Sequence, residues 1–149
     1  MNPSLVKAQR DRVSSREPVD DSKLRVVLVE DSAIIRARLA ETLSEIRNLA
    51  IVGQADTESD ALLLLRGGAW DALVLDLQLR EGTGLGVLNK LRDGGRPAHS
   101  KVIVFTNYAF PQYRRRSLSS GADYFFDKAR EFNRVRDVLA ELASDETPH

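Results

Sequence analysis

The sequence predicts an α/β fold, a doubly wound parallel sheet of five strands with helices on both faces. Three observations predict it. Short apolar runs recur five times between Leu24 and Phe126, segments of helical period separate them, and capping residues or glycines stand at the junctions. Right-handed crossovers between parallel strands then distribute the helices over the two faces.

The elements follow in order. Leu24-Arg25-Val26-Val27-Leu28-Val29 is nearly continuous in apolar residues, as a strand buried on both faces requires. Asp31 or Ser32 then caps a helix that carries Ile35, Leu39, Leu43 and Ile46 on one side. Leu49 to Ala55 forms the second strand. Thr57, with Asp60 three residues on, resembles a capping box that opens a helix through Leu65, and Gly67-Gly68 stops it. Ala72 to Asp76 is the third strand. The turn Gly82 to Gly84 leads into a helix with Leu85, Leu88 and Leu91, closed by Gly94-Gly95. Lys101 to Phe105 is the fourth strand. Pro111 suits the first turn of a weak helix that ends near Gly121. Tyr124 to Phe126 is a short fifth strand, and Phe132, Val135, Leu139 and Leu142 mark the last helix.

Residues 1–22 have mixed charges and no sustained apolar period, so they read as a flexible tail with a short helical stretch around Leu5 to Val13. The folded domain is expected over residues 23–143, with a frayed terminus at 144–149.

Composition narrows the function classes. Hydrophobic residues make up 42% of the 149, enough for a core. Lys plus Arg and Asp plus Glu each number 22, so no global field draws the chain to nucleic acid or membrane. With no cysteine, disulfides, thiol catalysis and Cys-ligated metals are excluded. The N-terminus lacks the apolar segment of a signal peptide, and the run Leu62 to Leu65 is far too short to span a bilayer. A cytoplasmic protein is the expectation.

In open α/β sheets, ligands bind outside the carboxyl ends of the strands. The first strand ends in Glu30-Asp31, the third in Asp76, the fourth in Thr106, and the fifth closes at Lys128; the second ends in nothing reactive. Three carboxylates in one low-dielectric mouth repel one another, and a hard divalent cation such as Mg²⁺ removes that repulsion. A carboxylate can attack phosphorus to give an acyl phosphate, chemistry that depends on neutralised charge and in-line placement. A lysine and a threonine supply donors for phosphoryl oxygens. Taken singly, each residue has a plain structural reading: Asp31 a helix cap, Asp76 a turn residue, Thr106 a strand residue, Lys128 a solvated charge. Their joint appearance, each at its own strand end, selects a metal-assisted phosphoacceptor site.

These residues lie in Val-Leu-Val-Glu-Asp-Ser at 27–32, Leu-Val-Leu-Asp-Leu at 73–77, Val-Ile-Val-Phe-Thr-Asn at 102–107 and Gly-Ala-Asp-Tyr-Phe-Phe-Asp-Lys at 121–128. As an ordered set over about residues 24–142 they resemble the receiver domain of bacterial two-component response regulators. The resemblance implies a flavodoxin-like sheet of order 2-1-3-4-5. It implies Mg²⁺ held by Glu30, Asp31, Asp76 and the backbone carbonyl of Gln78. Asp76 would accept a phosphoryl group from the histidine of a sensor kinase or a phosphotransfer protein. Lys128 would pair with the phosphate and Thr106 would shift toward it. Phe125 would then move inward, reshaping the surface of the fourth helix, fifth strand and fifth helix; its plain reading is a core aromatic.

Three positions depart from the family pattern. Ala129 follows the lysine where proline is frequent, so a trans bond and a different loop are expected. Arg80 stands four residues after the acceptor where proline is also frequent. Asn107 follows the threonine where small residues are common, and would restrict access of water or phosphodonor.

No effector segment follows the last helix, so output is expected through the domain's own surface. Arg114, Arg115 and Arg116 lie with Tyr108, Phe110 and Tyr113 in the fourth-helix region, which would dock an acidic downstream partner; a solvated basic helix face is the plain alternative. A phosphorylation-dependent homodimer stays open. Two other classes compete: a receiver-like module that binds protein without phosphate, and a nucleic-acid binder using Arg114 to Arg116. Zero net charge and the lack of a recognition motif count against the last.

Overall fold

The computed structural model describes residues 23–144. The tail at 1–22, with its expected helical stretch, and residues 145–149 lie outside them. Among the described residues the elements alternate without exception: β1 (Leu24–Val29), α1 (Ala33–Ser44), β2 (Leu49–Ala55), α2 (Glu58–Leu65), β3 (Ala72–Leu75), α3 (Gly84–Asp93), β4 (Lys101–Thr106), α4 (Pro111–Ser119), β5 (Tyr124–Asp127) and α5 (Phe132–Ser144). All strand pairs are parallel and the sheet order is β2-β1-β3-β4-β5. The order reverses between β1 and β3, which opens a crevice at their carboxyl ends.

Strand alternation divides the core. Val27, Val29, Leu73, Leu75, Val102, Val104 and Phe125 face α2 and α3, whose Ala61, Leu65, Val87, Leu88 and Leu91 cover them. Val26, Leu28, Val74, Ile103, Phe105 and Phe126 point the other way, against Leu39 and Leu43 of α1 and Val135 and Leu139 of α5. Each fully buried Leu or Val stabilises the fold by roughly 1.5–3 kcal/mol, so two covered faces fix the register of every central strand.

Local chemistry sets the boundaries. Ser32, rather than Asp31, caps α1: its Oγ accepts the Ile35 N–H at 3.2 Å, while Asp31 is exposed. Thr57 caps α2 through the Asp60 N–H at 3.1 Å. Thr83, inside the expected glycine turn, caps α3 through the Gly86 N–H at 3.0 Å. Pro111 occupies the first turn of α4, which has no side-chain N-cap. α1 stops at Ser44, so Ile46 falls beyond the helix face expected for it, yet it still packs on the α1–α5 side. The edge strand β2 carries an extra residue, Val52, between the partners of Val26 and Val27; this bulge blunts an otherwise apolar edge.

Candidate functional site

Backbone bonds between neighbouring strands place the first reactive residues. Glu30 donates its N–H to the Ala55 carbonyl at 3.0 Å, Asp76 to Val29 at 2.9 Å and Lys128 to Thr106 at 3.0 Å. Each bond extends the sheet by one step past the strand end, so three side chains from three strands converge on one mouth. Lys128 Nζ bridges Glu30 Oε2 at 2.8 Å and Asp76 Oδ2 at 2.7 Å. All three side chains are nearly sealed from solvent, at 8% exposure for the lysine, 2% for Glu30 and 4% for Asp76. The other Asp76 oxygen, Oδ1, accepts the Gln78 N–H at 3.2 Å. Asp31 completes a cluster with Glu30 and Asp76 in which one carboxylate oxygen from each lies within 4.8 Å of the others.

The electrostatics follow from unequal partnering. Burial pushes the Asp76 carboxyl above its ordinary value, against the opposing hydrogen bond from Lys128 and weaker help from the Gln78 N–H and Thr106. Burial likewise raises Glu30, against Lys128 and the Ser32 N–H. Burial alone would also disfavour the Lys128 ammonium, but its hydrogen bonds to Asp76 and Glu30 prevail and keep it charged. One lysine thus serves two buried carboxylates, with a third at the rim. Three carboxylates and an exclusively oxygen donor set fit a hard divalent cation of the Mg²⁺ class.

The remaining predicted residues lie on β4, α4, β5 and the connection from β4 to α4. Thr106 is buried at the end of β4, and its Oγ1 accepts the Tyr108 N–H at 3.1 Å. Phe125 is buried in β5, with the Arg114 guanidinium 5.7 Å from its ring centroid and Arg114 Nη1 at 3.4 Å from its carbonyl. Tyr108, Phe110 and Tyr113 form a ring cluster with centroids 5.9 and 6.3 Å apart. Arg115 and Arg116 are exposed beside it and make no ion pair among the described residues.

At two family departures the backbone N–H is in use. Ala129 donates to Asp127 Oδ1 at 2.9 Å, and there is no cis peptide among the described residues. Arg80 donates to the Asp56 carbonyl at 2.9 Å. Proline could make neither bond.

Other features of the site went unread in the sequence. The second strand, expected to end in nothing reactive, is followed by Asp56, which takes the Arg80 guanidinium. Arg36 Nη1 donates to the Glu30 carbonyl at 2.7 Å. A Cβ on Gly84 would overlap the Asp76 carbonyl oxygen, so only glycine lets α3 begin against the Asp76 backbone. Glycines near a strand end are the available signal for such a close approach.

A family profile described as response regulator receiver domain matches residues 26–140. The chain belongs to that family. The receiver is 28% identical over 119 residues to a protein-glutamate methylesterase/protein-glutamine glutaminase of Methanospirillum hungatei, covering 80% of this chain and 35% of that one. It spans 13% to 57% of the length of four curated relatives that it matches. Among solved structures it resembles the receiver domain of the response regulator NarL from Mycobacterium tuberculosis, with TM-score 0.72, 24% identity, and 83% and 98% of the two chains covered. A response regulator from Burkholderia pseudomallei, described with a phosphorylated aspartic acid, a calcium ion and citrate, superposes with TM-score 0.69 at 24% identity, over 83% of the receiver and 70% of that chain. No helix among the described residues is long and apolar enough to cross a membrane.

Proposed function

We propose that this receiver is a phosphoacceptor switch in which Asp76 takes a phosphoryl group from a partner's phosphohistidine. An Asp76 carboxylate oxygen forms the new bond to phosphorus as the phosphorus–nitrogen bond of the donor breaks, leaving an acyl phosphate and a free imidazole. The observation that carries this reading is the Glu30–Lys128–Asp76 bridge: the acceptor is buried, held at both oxygens, and short of positive charge. Glu30, Asp31, Asp76 and the Gln78 carbonyl would hold Mg²⁺, which supplies charge neutralisation when bound. Lys128 then turns from Glu30 and Asp76 to the phosphoryl oxygens, and the Thr106 hydroxyl donates a second hydrogen bond. The relative described with a phosphorylated aspartic acid and a divalent cation supports the same chemistry here.

Thr106, Phe125 and Arg114 link the mouth to α4, and the face carrying Tyr108, Tyr113, Arg115 and Arg116 would meet an acidic downstream protein, a phosphotransfer protein or a second copy. One observation favours phosphate-independent docking on the same face: Phe125 is already buried, so its burial needs no phosphoryl group.

The test is intact mass after incubation with Mg²⁺ and acetyl phosphate, beside Asp76→Asn and a chelated sample. One phosphoryl adduct, lost in both controls, is expected. No adduct on folded protein, with kinase-driven transfer also absent, overturns the reading in favour of phosphate-independent docking.

A further inference from the structure

The segment from Asp76 to Gly84 carries Gln78, and how firmly it is held decides how well the mouth is preformed. On its own side it is closed by a bridge between Gln78 and Thr83 and by the Gly84 N–H on the Leu77 carbonyl at 2.9 Å. Its outer side is held by the connection between β2 and α2. There Arg80 gives Asp56 three hydrogen bonds: its N–H to the carbonyl at 2.9 Å, Nε to Oδ2 at 2.9 Å and Nη2 to Oδ1 at 3.2 Å. Two residues on, Glu58 donates its N–H to the Glu81 carbonyl at 2.9 Å and accepts the Thr83 N–H on Oε1 at 2.9 Å. Thr57 and Glu81 pair as an isolated parallel bridge. Gly82, at φ 79°, passes so close to Glu58 that a Cβ there would overlap it.

We propose that Asp56 and Glu58 form a clasp on this segment and that Arg80 is a positioning residue for the divalent-cation site, acting through the Gln78 backbone. The inference rests on reading the mouth as that site. A bidentate guanidinium–carboxylate pair fixes orientation as well as distance, which a lysine point charge does not. The side-chain pair is exposed, and alone such a pair contributes little. Here, however, it acts with four backbone-involving bonds on a segment of nine residues, and it lies two residues from the proposed carbonyl ligand. Proline at position 80 would stiffen the chain by its ring; this chain stiffens it with an ion pair. The cation site therefore becomes sensitive to ionic strength through a contact outside its own ligands.

The test uses the whole chain as wild type, Arg80→Ala, Arg80→Lys and Asp56→Asn, each first shown to melt cooperatively. Hydrogen–deuterium exchange of the metal-free proteins reads the segment directly. Amides from Leu77 to Thr83 should exchange about tenfold faster in Arg80→Ala, partly recover in Arg80→Lys, and leave those of β4 unchanged. Mg²⁺ titration should show affinity about tenfold weaker in Arg80→Ala, the scale of losses from groups that support metal ligands. That gap should close in about 1 M salt. Unchanged exchange in both Arg80→Ala and Asp56→Asn overturns the clasp. Faster exchange with unaltered Mg²⁺ affinity overturns the positioning role. A wild type that binds no Mg²⁺ overturns the cation reading itself, and the exchange data then decide the clasp alone.

Discussion

Asp71 and Asp76 flank the same four-residue strand, β3, and their surroundings are opposite. Asp71 lies at the amino end and has its own partners: the Arg25 N–H at 2.8 Å, the Arg25 guanidinium at 3.1 Å on each oxygen, and His99 Nε2 at 2.7 Å. Burial pushes its carboxyl up, but Arg25 and His99 outweigh that and hold it below the usual range. Asp76 lies at the carboxyl end, shares one lysine with Glu30, and burial holds it above that range. A saturated carboxylate is a strut. An under-partnered one, beside two more of the same sign, is a place for a cation or a phosphoryl group.

The largest expected effect comes from emptying the mouth of its cation. Lys128→Met leaves Glu30 and Asp76 buried without it and should destabilise the metal-free protein by about 3 kcal/mol near neutral pH, read by urea unfolding. Mg²⁺ should restore part of that loss. Next, the two ends of β3 should respond with opposite signs. Asp71→Asn should cost about 1–3 kcal/mol, because Arg25 and His99 lose a charged acceptor. Asp76→Asn should cost nothing or stabilise by up to about 1 kcal/mol, because a neutral amide is easier to bury. Equal losses at both ends would erase the distinction.

The pH dependence sharpens the same contrast. Asp76 and Glu30 are raised above 3.8 and 4.5, so the metal-free fold binds more protons than the unfolded chain just above those values, and they take stability away as pH rises through that interval. Asp71 is lowered below 3.8; its contribution is present above 3.8 and is lost as pH falls through its folded value. The stability curve of Asp76→Asn should therefore be flatter than wild type on the neutral side, and that of Asp71→Asn flatter on the acid side. Urea midpoints across that range check both.

The smallest effect tests whether every under-partnered polar atom marks function. Ser117, the buried residue of α4, has a hydroxyl with no partner among the described residues and lies outside the carboxylate cluster of the mouth. Ser117→Ala should stabilise by about 1 kcal/mol without altering Mg²⁺ affinity. A loss of stability would mean that the hydroxyl has a role in holding α4.

The fold was legible because each strand is a short, largely apolar run and most helices start on a residue that can accept an N–H, as Ser32 and Thr57 do. The mouth was legible for a related reason: Glu30, Asp31, Asp76, Thr106 and Lys128 are addressed by strand ends, which the apolar runs locate. The Asp56–Arg80 clasp has no such address, since any of 22 acidic residues could pair with any of 22 basic ones across 24 positions of chain. The cluster of Arg25, Asp71 and His99 was missed because it stands at strand starts. Gly84 was read as a turn, and only the three-dimensional approach of α3 to the Asp76 carbonyl shows why glycine is needed.

Thermal unfolding with and without Mg²⁺, for wild type and Asp76→Asn together, bears most directly on the under-partnered mouth. Mg²⁺ should raise the wild-type Tm progressively with concentration, as a ligand that binds only the folded state must, and should leave the Tm of Asp76→Asn nearly unmoved. A wild-type Tm indifferent to Mg²⁺, or an equal rise in both proteins, would contradict a cation site built on Asp76.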